Sequence, residues 1–181
     1  MSEKIGKSIN VFFDTEFTNL NPHAVPKLIS VALVADNGRE FYAELTDTYQ
    51  IADCSEFVVK NVLPLLNRSR GDDSASMQEA QCASRMQAFI ESLGDGEVIL
   101  RSDAPGYDWP LVAEMFQFYG CWPKNLRRRC GVIGFDNPRA VHRYQAGEYE
   151  YWKAYAGERH HALVDARSLR FAWRYAIRRG V

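Results

Sequence analysis

The chain has 181 residues, 46% hydrophobic and 25% charged, with a formal net charge of −1. This length allows one domain with a substantial core, and the composition is ordinary for a soluble globular protein. The near-neutral charge argues against a large, uniformly basic nucleic-acid surface. No apolar run approaches the roughly 20 residues of a membrane span, and residues Met1 to Lys7 lack a signal peptide's apolar centre. We therefore expect a cytoplasmic protein without membrane contact.

The cysteines indicate neither a disulfide framework nor a zinc site. The four of them, Cys54, Cys82, Cys121 and Cys130, are widely spaced, and no CxxC pair occurs. Structural zinc sites draw their ligands from such closely spaced pairs. In a reducing compartment we expect free thiols that act mainly as packing groups.

The N-terminal part of the sequence predicts an antiparallel meander of three strands. Residues 9–13 form an apolar, β-favouring run, and residues 27–35 are so continuously apolar that they indicate a strand covered on both faces. Asp36-Asn37-Gly38 is a strong hairpin signal, because Asn and Gly tolerate positive φ. Residues 40–45 then alternate between apolar and polar side chains, as expected of the third strand.

The remainder of the chain predicts helices alternating with one more strand. Helices are expected over residues 55–66, 76–93, 107–119 and 161–178, with Ser55 and Ser76 as candidate N-caps of the first two. The short run Val98 to Leu100 predicts a buried parallel strand, and residues 121–157 form the least regular segment. We therefore predict a single α/β domain over residues 1–181, a mixed sheet with helices on both faces.

Two acids follow the first strand closely. Asp14 and Glu16 are two residues apart, so on an extended backbone both carboxylates point to the same face. Like charges held side by side repel, and burying them unpaired is costly. A bound cation would resolve this, and carboxylate oxygens are hard ligands suited to Mg²⁺ or Mn²⁺. The alternative is a strand end whose acids face water.

Two later segments supply further candidates for the same place. Asp108 falls just past the short strand at a helix start, and ligands in open α/β sheets gather at the carboxyl ends of strands. Asp103 is a rival that we interpret as a turn or capping residue. Asp165 lies on the final helix and is preceded by His160 and His161. Spacing alone favours His161, because it lies four residues before Asp165 on the same helical face.

Taken together, these segments resemble a known family. Asp14-Thr15-Glu16, then Tyr107-Asp108, then His160 separated by four residues from Asp165-Ala166, are similar to the three motifs of the DEDDh 3′–5′ exonuclease superfamily. Phe13 to Phe17, Leu28 to Val34 and Asp36 to Ala43 most resemble its small bacterial and phage branch, the Rv2179c-like exoribonucleases. The resemblance spans almost the whole chain, with the motifs in the expected order and spacing.

The resemblance implies a ribonuclease H-like fold and a two-metal nuclease. It implies that Asp14, Glu16, Asp108 and Asp165 hold two divalent cations, Mg²⁺ or Mn²⁺, and that His160 is the general base. It further implies a 3′–5′ exoribonuclease that releases nucleoside 5′-monophosphates from RNA 3′ ends. This sequence departs from many relatives in having Asp103 in the region where they carry an Asn before the second motif, and it also differs over residues 19–26.

Candidate substrate-binding residues adjoin these motifs. Phe17, which follows the first motif, is a candidate to stack on a terminal base, with a core position as the alternative. Trp109 either lines the same pocket or packs in the core. Thr15 is a candidate to offer its backbone to the terminal ribose, because its side chain points to the other face of the sheet. Residues Arg127 to Arg129 either contact phosphates or form solvated surface.

Two other functions remain open at this point. One is a DNA-directed exonuclease of the proofreading type, because no residue can be assigned to the ribose 2′-hydroxyl that distinguishes RNA from DNA. The other is a catalytically inactive nucleic-acid-binding module, which the presence of all four acids and His160 disfavours. The aromatic stretch around Trp152 is a candidate homodimer surface or a cover for the sheet.

Overall fold

The computed structural model describes residues 8–178, and within that range the chain forms one mixed sheet of six strands. The strands are β1 (Ile9–Phe17), β2 (Leu28–Ala35), β3 (Glu40–Leu45), β4 (Ser76–Met77), β5 (Val98–Ser102) and β6 (Gly131–Val132). Their order is β4-β3-β2-β1-β5-β6, with β1 antiparallel to β2 and parallel to β5. The predicted α/β class and N-terminal meander are confirmed. Residues Met1 to Lys7, which bear on the signal-peptide argument, lie outside the described range.

Helices cover both faces of this sheet, as predicted. They are α1 (Glu56–Asn61), α2 (Glu79–Glu91), α3 (Pro105–Phe118), α4 (Pro138–Tyr155) and α5 (Ala162–Ile177). Helices α2 and α3 share one core cluster with one face of the sheet, whereas α5 packs on the other face and α4 packs on α5. In the part of the chain that the structure describes, no helix is long and apolar enough to cross a membrane.

Alternation along β1 divides its side chains between the two layers. Val11 and Phe13 belong to the core cluster that includes α2 and α3. Phe12 points the other way and packs against Trp173 of α5, with ring centroids 5.7 Å apart. Because side chains alternate along a strand, Asp14 and Glu16 share the α5 side with Phe12. The fold therefore directs both acids of the first motif toward the helix that carries the third motif.

Three predicted boundaries were wrong, each for a local reason. Strand β1 runs past both acids to Phe17, because β2 pairs with it as far as Leu28. Ser76 is not a helix cap: it lies in β4, and α2 begins at Glu79. Helix α1 is capped by Ser55 as predicted but ends at Asn61, and a short 3₁₀ turn containing a proline follows.

The largest error concerns residues 121–157, where the prediction of an irregular segment missed the 18-residue helix α4. The Asn137 side chain caps it by accepting a hydrogen bond from the Arg139 backbone N–H, at 2.9 Å. Gly147 allows α4 to approach α5 closely, because a Cβ there would lie 2.8 Å from Tyr175 Cβ. The Asn-Pro pair is a helix-start signal that the sequence contains. The helix was nevertheless not predicted, because an interior glycine and several aromatic residues lower the helix propensity of the segment.

Candidate active site

A cleft of about 830 Å³ lies over the carboxyl-terminal half of β1 and brings the three motifs together. The lining includes all five predicted metal-binding and catalytic residues: Asp14, Glu16, Asp108, His160 and Asp165. The first two come from β1, Asp108 from the first turn of α3, and Asp165 from the first turn of α5. The pairing of β1 with β5 is what brings Asp108 to this edge, as the sequence argument required.

The ligating atoms in the cleft fall into two groups. Donor atoms of Glu16, His160 and Asp165 lie within 4.8 Å of one another, and so do those of Asp14, Asp103 and Asp108. Five carboxylates and one imidazole form a set dominated by hard oxygen donors, which fits Mg²⁺ or Mn²⁺. Asp103, named above as a rival to Asp108 but interpreted as a turn or capping residue, lies in this cleft with its carboxylate near those of Asp14 and Asp108.

In the absence of cations the carboxylates strongly resist ionisation. Burial, reinforced by the charges of Glu16, Asp108 and Asp165, raises the pKa of Asp14 well above its usual value. Burial and the nearby charges of Asp165 and Asp108 raise the pKa of Glu16 to about 8. Burial also raises the pKa of Asp165 to about 7 and that of Asp108 to about 6. A cation that favours the ionised forms would offset this cost.

These pKa shifts predict how the stability of the metal-free protein depends on pH. A carboxyl group whose pKa is higher in the folded state binds more protons when folded, so it contributes stability at low pH that is lost as pH rises through the folded pKa. For Asp108, Asp165 and Glu16 this loss spans pH 4 to about 8. We expect the unfolding temperature measured with EDTA to fall across this interval, and saturating Mg²⁺ to reduce the fall. A metal-free unfolding temperature that rose between pH 5 and 8 would contradict this account.

Asp108 is held in place by two buried hydroxyl groups. Thr15 Oγ1 donates a hydrogen bond of 2.6 Å to Asp108 Oδ1, and the Ser102 hydroxyl donates to Asp108 Oδ2. Ser102 is itself fixed, since its Oγ accepts a hydrogen bond of 2.9 Å from the Ala104 backbone N–H. Thr15 makes this contact because its side chain points away from Asp14 and Glu16, toward the layer of α3. These contacts orient Asp108 and partly offset the effect of burial on its pKa.

Replacing Thr15 by Val should therefore disturb Asp108 without changing the shape of the core. We expect Thr15→Val to weaken Mn²⁺ binding about 10- to 100-fold, because hydrogen-bond partners of a metal ligand typically have effects of this size. Isothermal titration calorimetry would measure the change. Thr15→Ser, which keeps the hydroxyl, should retain most of the affinity, and Thr46→Val, at an exposed threonine outside the cleft, is the matched control. Unchanged Mn²⁺ affinity in Thr15→Val would contradict an orienting role.

The two adjacent histidines have different environments. His160 is exposed, lines the cleft, and has a φ of 72°, the left-handed region that non-glycine residues rarely adopt. Its backbone N–H donates a hydrogen bond of 2.9 Å to Asp165 Oδ2, which ties the turn to the carboxylate. His161 is buried, stacks on Tyr42, and has its Nε2 3.3 Å from Asn67 Oδ1. Tertiary packing buries His161 against Tyr42, contrary to the expectation from spacing alone, and His160 is the histidine presented to the cleft.

The candidate substrate-binding residues do not all reach the cleft. Phe17 lines it and stacks on Tyr107, with ring centroids 6.2 Å apart, and Thr15 also contributes to the lining. Trp109 is a correction: it packs edge-on against Trp122 in the core and does not line the cleft, because its position in α3 faces the neighbouring layer. Tyr107 is an addition that the sequence analysis did not single out for binding.

The arginine triplet also lies outside the cleft lining. Arg127 pairs with Glu97 at 2.6 Å, and the Arg128 guanidinium lies 4.7 Å from the centroid of the Trp122 ring. These contacts engage Arg127 and Arg128 with neighbouring side chains of the same protein. The exposed arginines of residues 127–129 therefore do not contribute to the geometry of the acidic cleft.

Solved structures with a similar fold include two nucleases. The nuclease domain of 3′hExo, a DEDDh family member bound to rAMP, aligns with 94% of this chain and 90% of its own, with a TM-score of 0.57 and 13% identity. E. coli ExoI in a metal-free complex with single-stranded DNA aligns with 91% of this chain but 38% of its own, with a TM-score of 0.51 and 13% identity. No family model and no curated protein matches the sequence.

The structural likeness establishes the fold. This chain has the mixed-sheet, ribonuclease H-like architecture of DEDDh nuclease domains, and it spans nearly all of the 3′hExo domain but well under half of ExoI. Fold alone does not define an activity. The activity must therefore be argued from the residues that converge on the cleft.

Proposed function

We propose that this protein is a metal-dependent 3′–5′ exoribonuclease that removes nucleoside 5′-monophosphates from RNA 3′ ends. The observation that carries the proposal is the convergence of four acids and a histidine in one cleft, within a fold shared with exonuclease domains. Those residues are Asp14, Glu16, Asp108, Asp165 and His160. Each stands at the position that the sequence resemblance assigns to the acids and general base of the DEDDh superfamily.

The residue types suit phosphodiester hydrolysis. Two divalent cations, when bound, supply Lewis acidity that stabilises charge on the attacking and leaving oxygens. The four carboxylates hold these cations and offset their charge. His160 is exposed to the cleft, and burial together with the charge of Arg159 lowers its pKa. A neutral imidazole is therefore available near pH 7 to accept a proton from the attacking water.

The position of His160 is constrained from two sides. Its ring packs edge-on against Phe57, with centroids 5.0 Å apart, and its backbone is tied to Asp165. An imidazole fixed beside a ligating carboxylate acts on a water whose position that same carboxylate helps to define. This arrangement supports a role as general base, although the imidazole also lies near enough to Glu16 and Asp165 to act as a ligand.

The choice of RNA rests on the resemblance of residues 13–17, 28–34 and 36–43 to the Rv2179c-like exoribonuclease branch. The second candidate is a 3′–5′ exodeoxyribonuclease. The observation that favours it is the similarity of the fold to ExoI, whose structure was solved with single-stranded DNA. An inactive binding module is the weakest candidate, because none of the five motif residues is missing.

One assay separates these candidates. A 5′-labelled RNA with a 3′ overhang and its DNA counterpart would be incubated with the protein and Mg²⁺ or Mn²⁺, and the products resolved at single-nucleotide steps. Stepwise shortening of RNA alone, with release of nucleoside 5′-monophosphates, is the expected result. Comparable shortening of RNA and DNA would indicate a general exonuclease, whereas shortening of DNA alone would favour the second candidate. Binding without shortening, with either metal, would overturn the enzyme assignment.

A further inference from the structure

One positively charged side chain packs against the cleft wall that α4 forms. Arg159 lies directly before His160, and its guanidinium carbon is 5.0 Å from the centroid of the Trp152 ring on α4. Both residues line the cleft. A guanidinium over an indole face is a cation–π arrangement, which restricts a side chain that would otherwise be mobile.

The charge balance of the cleft makes this arginine distinctive. Six acids contribute to the lining: Asp14, Glu16, Asp103, Asp108, Glu148 and Asp165. Four of them balance two divalent cations in the proposed function, which leaves Asp103 and Glu148 as additional negative charges. Apart from His160, Arg159 is the single basic side chain among the lining residues that the structure describes. Apart from the metal ions of the proposed function, Arg159 is therefore the cationic group of the described lining that a polyanionic substrate can contact directly.

The guanidinium donors of Arg159 are free to bind an anion. Other arginines are committed to acids, such as Arg127 to Glu97 and Arg167 to Glu40, each at 2.6 Å. Within residues 8–178, Arg159 makes neither an ion pair nor a side-chain hydrogen bond. The contact with Trp152 is a cation–π contact and not a hydrogen bond to another polar group, so the five N–H donors of the guanidinium keep their capacity to bind an anion. The contact therefore restrains Arg159 while leaving the donors that recognise phosphate oxygens available.

We propose that Arg159, supported by Trp152, binds the phosphate immediately 5′ to the scissile phosphate and so makes strands that carry this second charged phosphate better substrates than strands that lack it. This inference rests on the proposed exonuclease function. The scissile phosphate belongs with the cations among the central acids, whereas Arg159 is exposed, in the segment between α4 and α5, next to the general base. The next phosphate along the strand is the anion that a group on this wall would meet.

The test changes one charge on the substrate and one on the protein. The probes are the trinucleotide UpUpU and the same molecule with its 5′ linkage replaced by an uncharged methylphosphonate, and the readout is kcat/KM for release of the first UMP. If the primary assay selects DNA, the thymidine trinucleotides take their place. We expect the wild type to prefer the natural substrate about 10- to 100-fold, because charge-assisted hydrogen bonds have effects of this size. Arg159→Ala should bring the two kcat/KM values to within a few-fold of each other; because the charge of Arg159 also acts on His160, the readout is the ratio of the two probes and not either rate alone.

Arg128→Ala is the matched control. Arg128 is also an exposed arginine stacked on a tryptophan, at 4.7 Å, but it lies outside the cleft lining. It should keep the wild-type preference. Equal losses on both probes in Arg159→Ala, or no preference in the wild type, would overturn the inference. If the wild type hydrolyses neither of the two probes and also fails to shorten longer RNA or DNA, the proposed function itself is overturned.

Discussion

Replacing Asp14 by Asn is expected to lower the rate of 3′ shortening by about 10³-fold or more. Asp14 lies within electrostatic reach of the other three acids, since the charges of Glu16, Asp108 and Asp165 all act on it. Losing its carboxylate would remove a proposed metal ligand, and metal-assisted stabilisation of the transition state is worth several kcal/mol, with each 1.36 kcal/mol equal to a factor of about ten. The measurement is the single-turnover rate at saturating Mn²⁺, alongside Mn²⁺ affinity by calorimetry.

The same substitution should stabilise the metal-free protein at neutral pH. Asn has nearly the shape of Asp but no charge, so Asp14→Asn removes a half-buried carboxylate whose ionised form is disfavoured by desolvation and by the neighbouring acids. We expect a higher unfolding temperature in EDTA, together with the lost activity. Asp95→Asn, at an exposed acid in the turn after α2, should change neither property. An Asp14→Asn protein that retained a tenth of the wild-type rate would contradict the two-metal assignment.

Replacing His160 by Ala is expected to lower kcat by about 10²- to 10⁴-fold, the range typical of a lost general base. Because the four carboxylates remain, Mn²⁺ affinity should change much less than the rate does. The pH profile should change as well: the wild-type rate rises with pH as the imidazole loses its proton, and the variant should lack that rise. Measurements of kcat from pH 5 to 9 would record both effects.

The control for this prediction is another histidine of the same chain. His142 is exposed on α4 and lies outside the cleft lining, so His142→Ala should retain the wild-type rate and pH profile. A His160→Ala protein with the wild-type pH profile would show that a different group accepts the proton. A loss of Mn²⁺ affinity as large as the loss of rate would instead identify His160 as a metal ligand.

Local patterns in the sequence predicted most of the fold. The continuous apolar run of β2, the Asp36-Asn37-Gly38 turn and the Ser55 cap each depend on neighbouring residues, and each was placed correctly. Helix α4 was missed because its stability comes from packing against α5, where Gly147 permits a close approach. Tertiary packing overrides weak helix propensity, and that contribution cannot be read from a local window.

In the candidate site, too, local spacing predicted some features, whereas others depend on tertiary contacts. The spacing of Asp14 and Glu16 on an extended strand correctly placed both carboxylates on one face. The choice between His160 and His161 could not be made by spacing, because burial of His161 against Tyr42 depends on a strand more than a hundred residues earlier. The role of Thr15 toward Asp108 was likewise hidden, since it links residues 93 positions apart.

The distribution of the site along the chain also has a consequence for biosynthesis. Asp14 is made early, whereas His160 and Asp165 belong to the last described turn and helix, and α5 packs directly on β1 and β2. Because proteins are synthesised from the N-terminus and fold as they emerge, a chain on the ribosome holds only part of the acidic cleft until α5 has been made and has docked. On the proposed function, the nuclease site is therefore completed only after α5 has been made and has docked on the sheet.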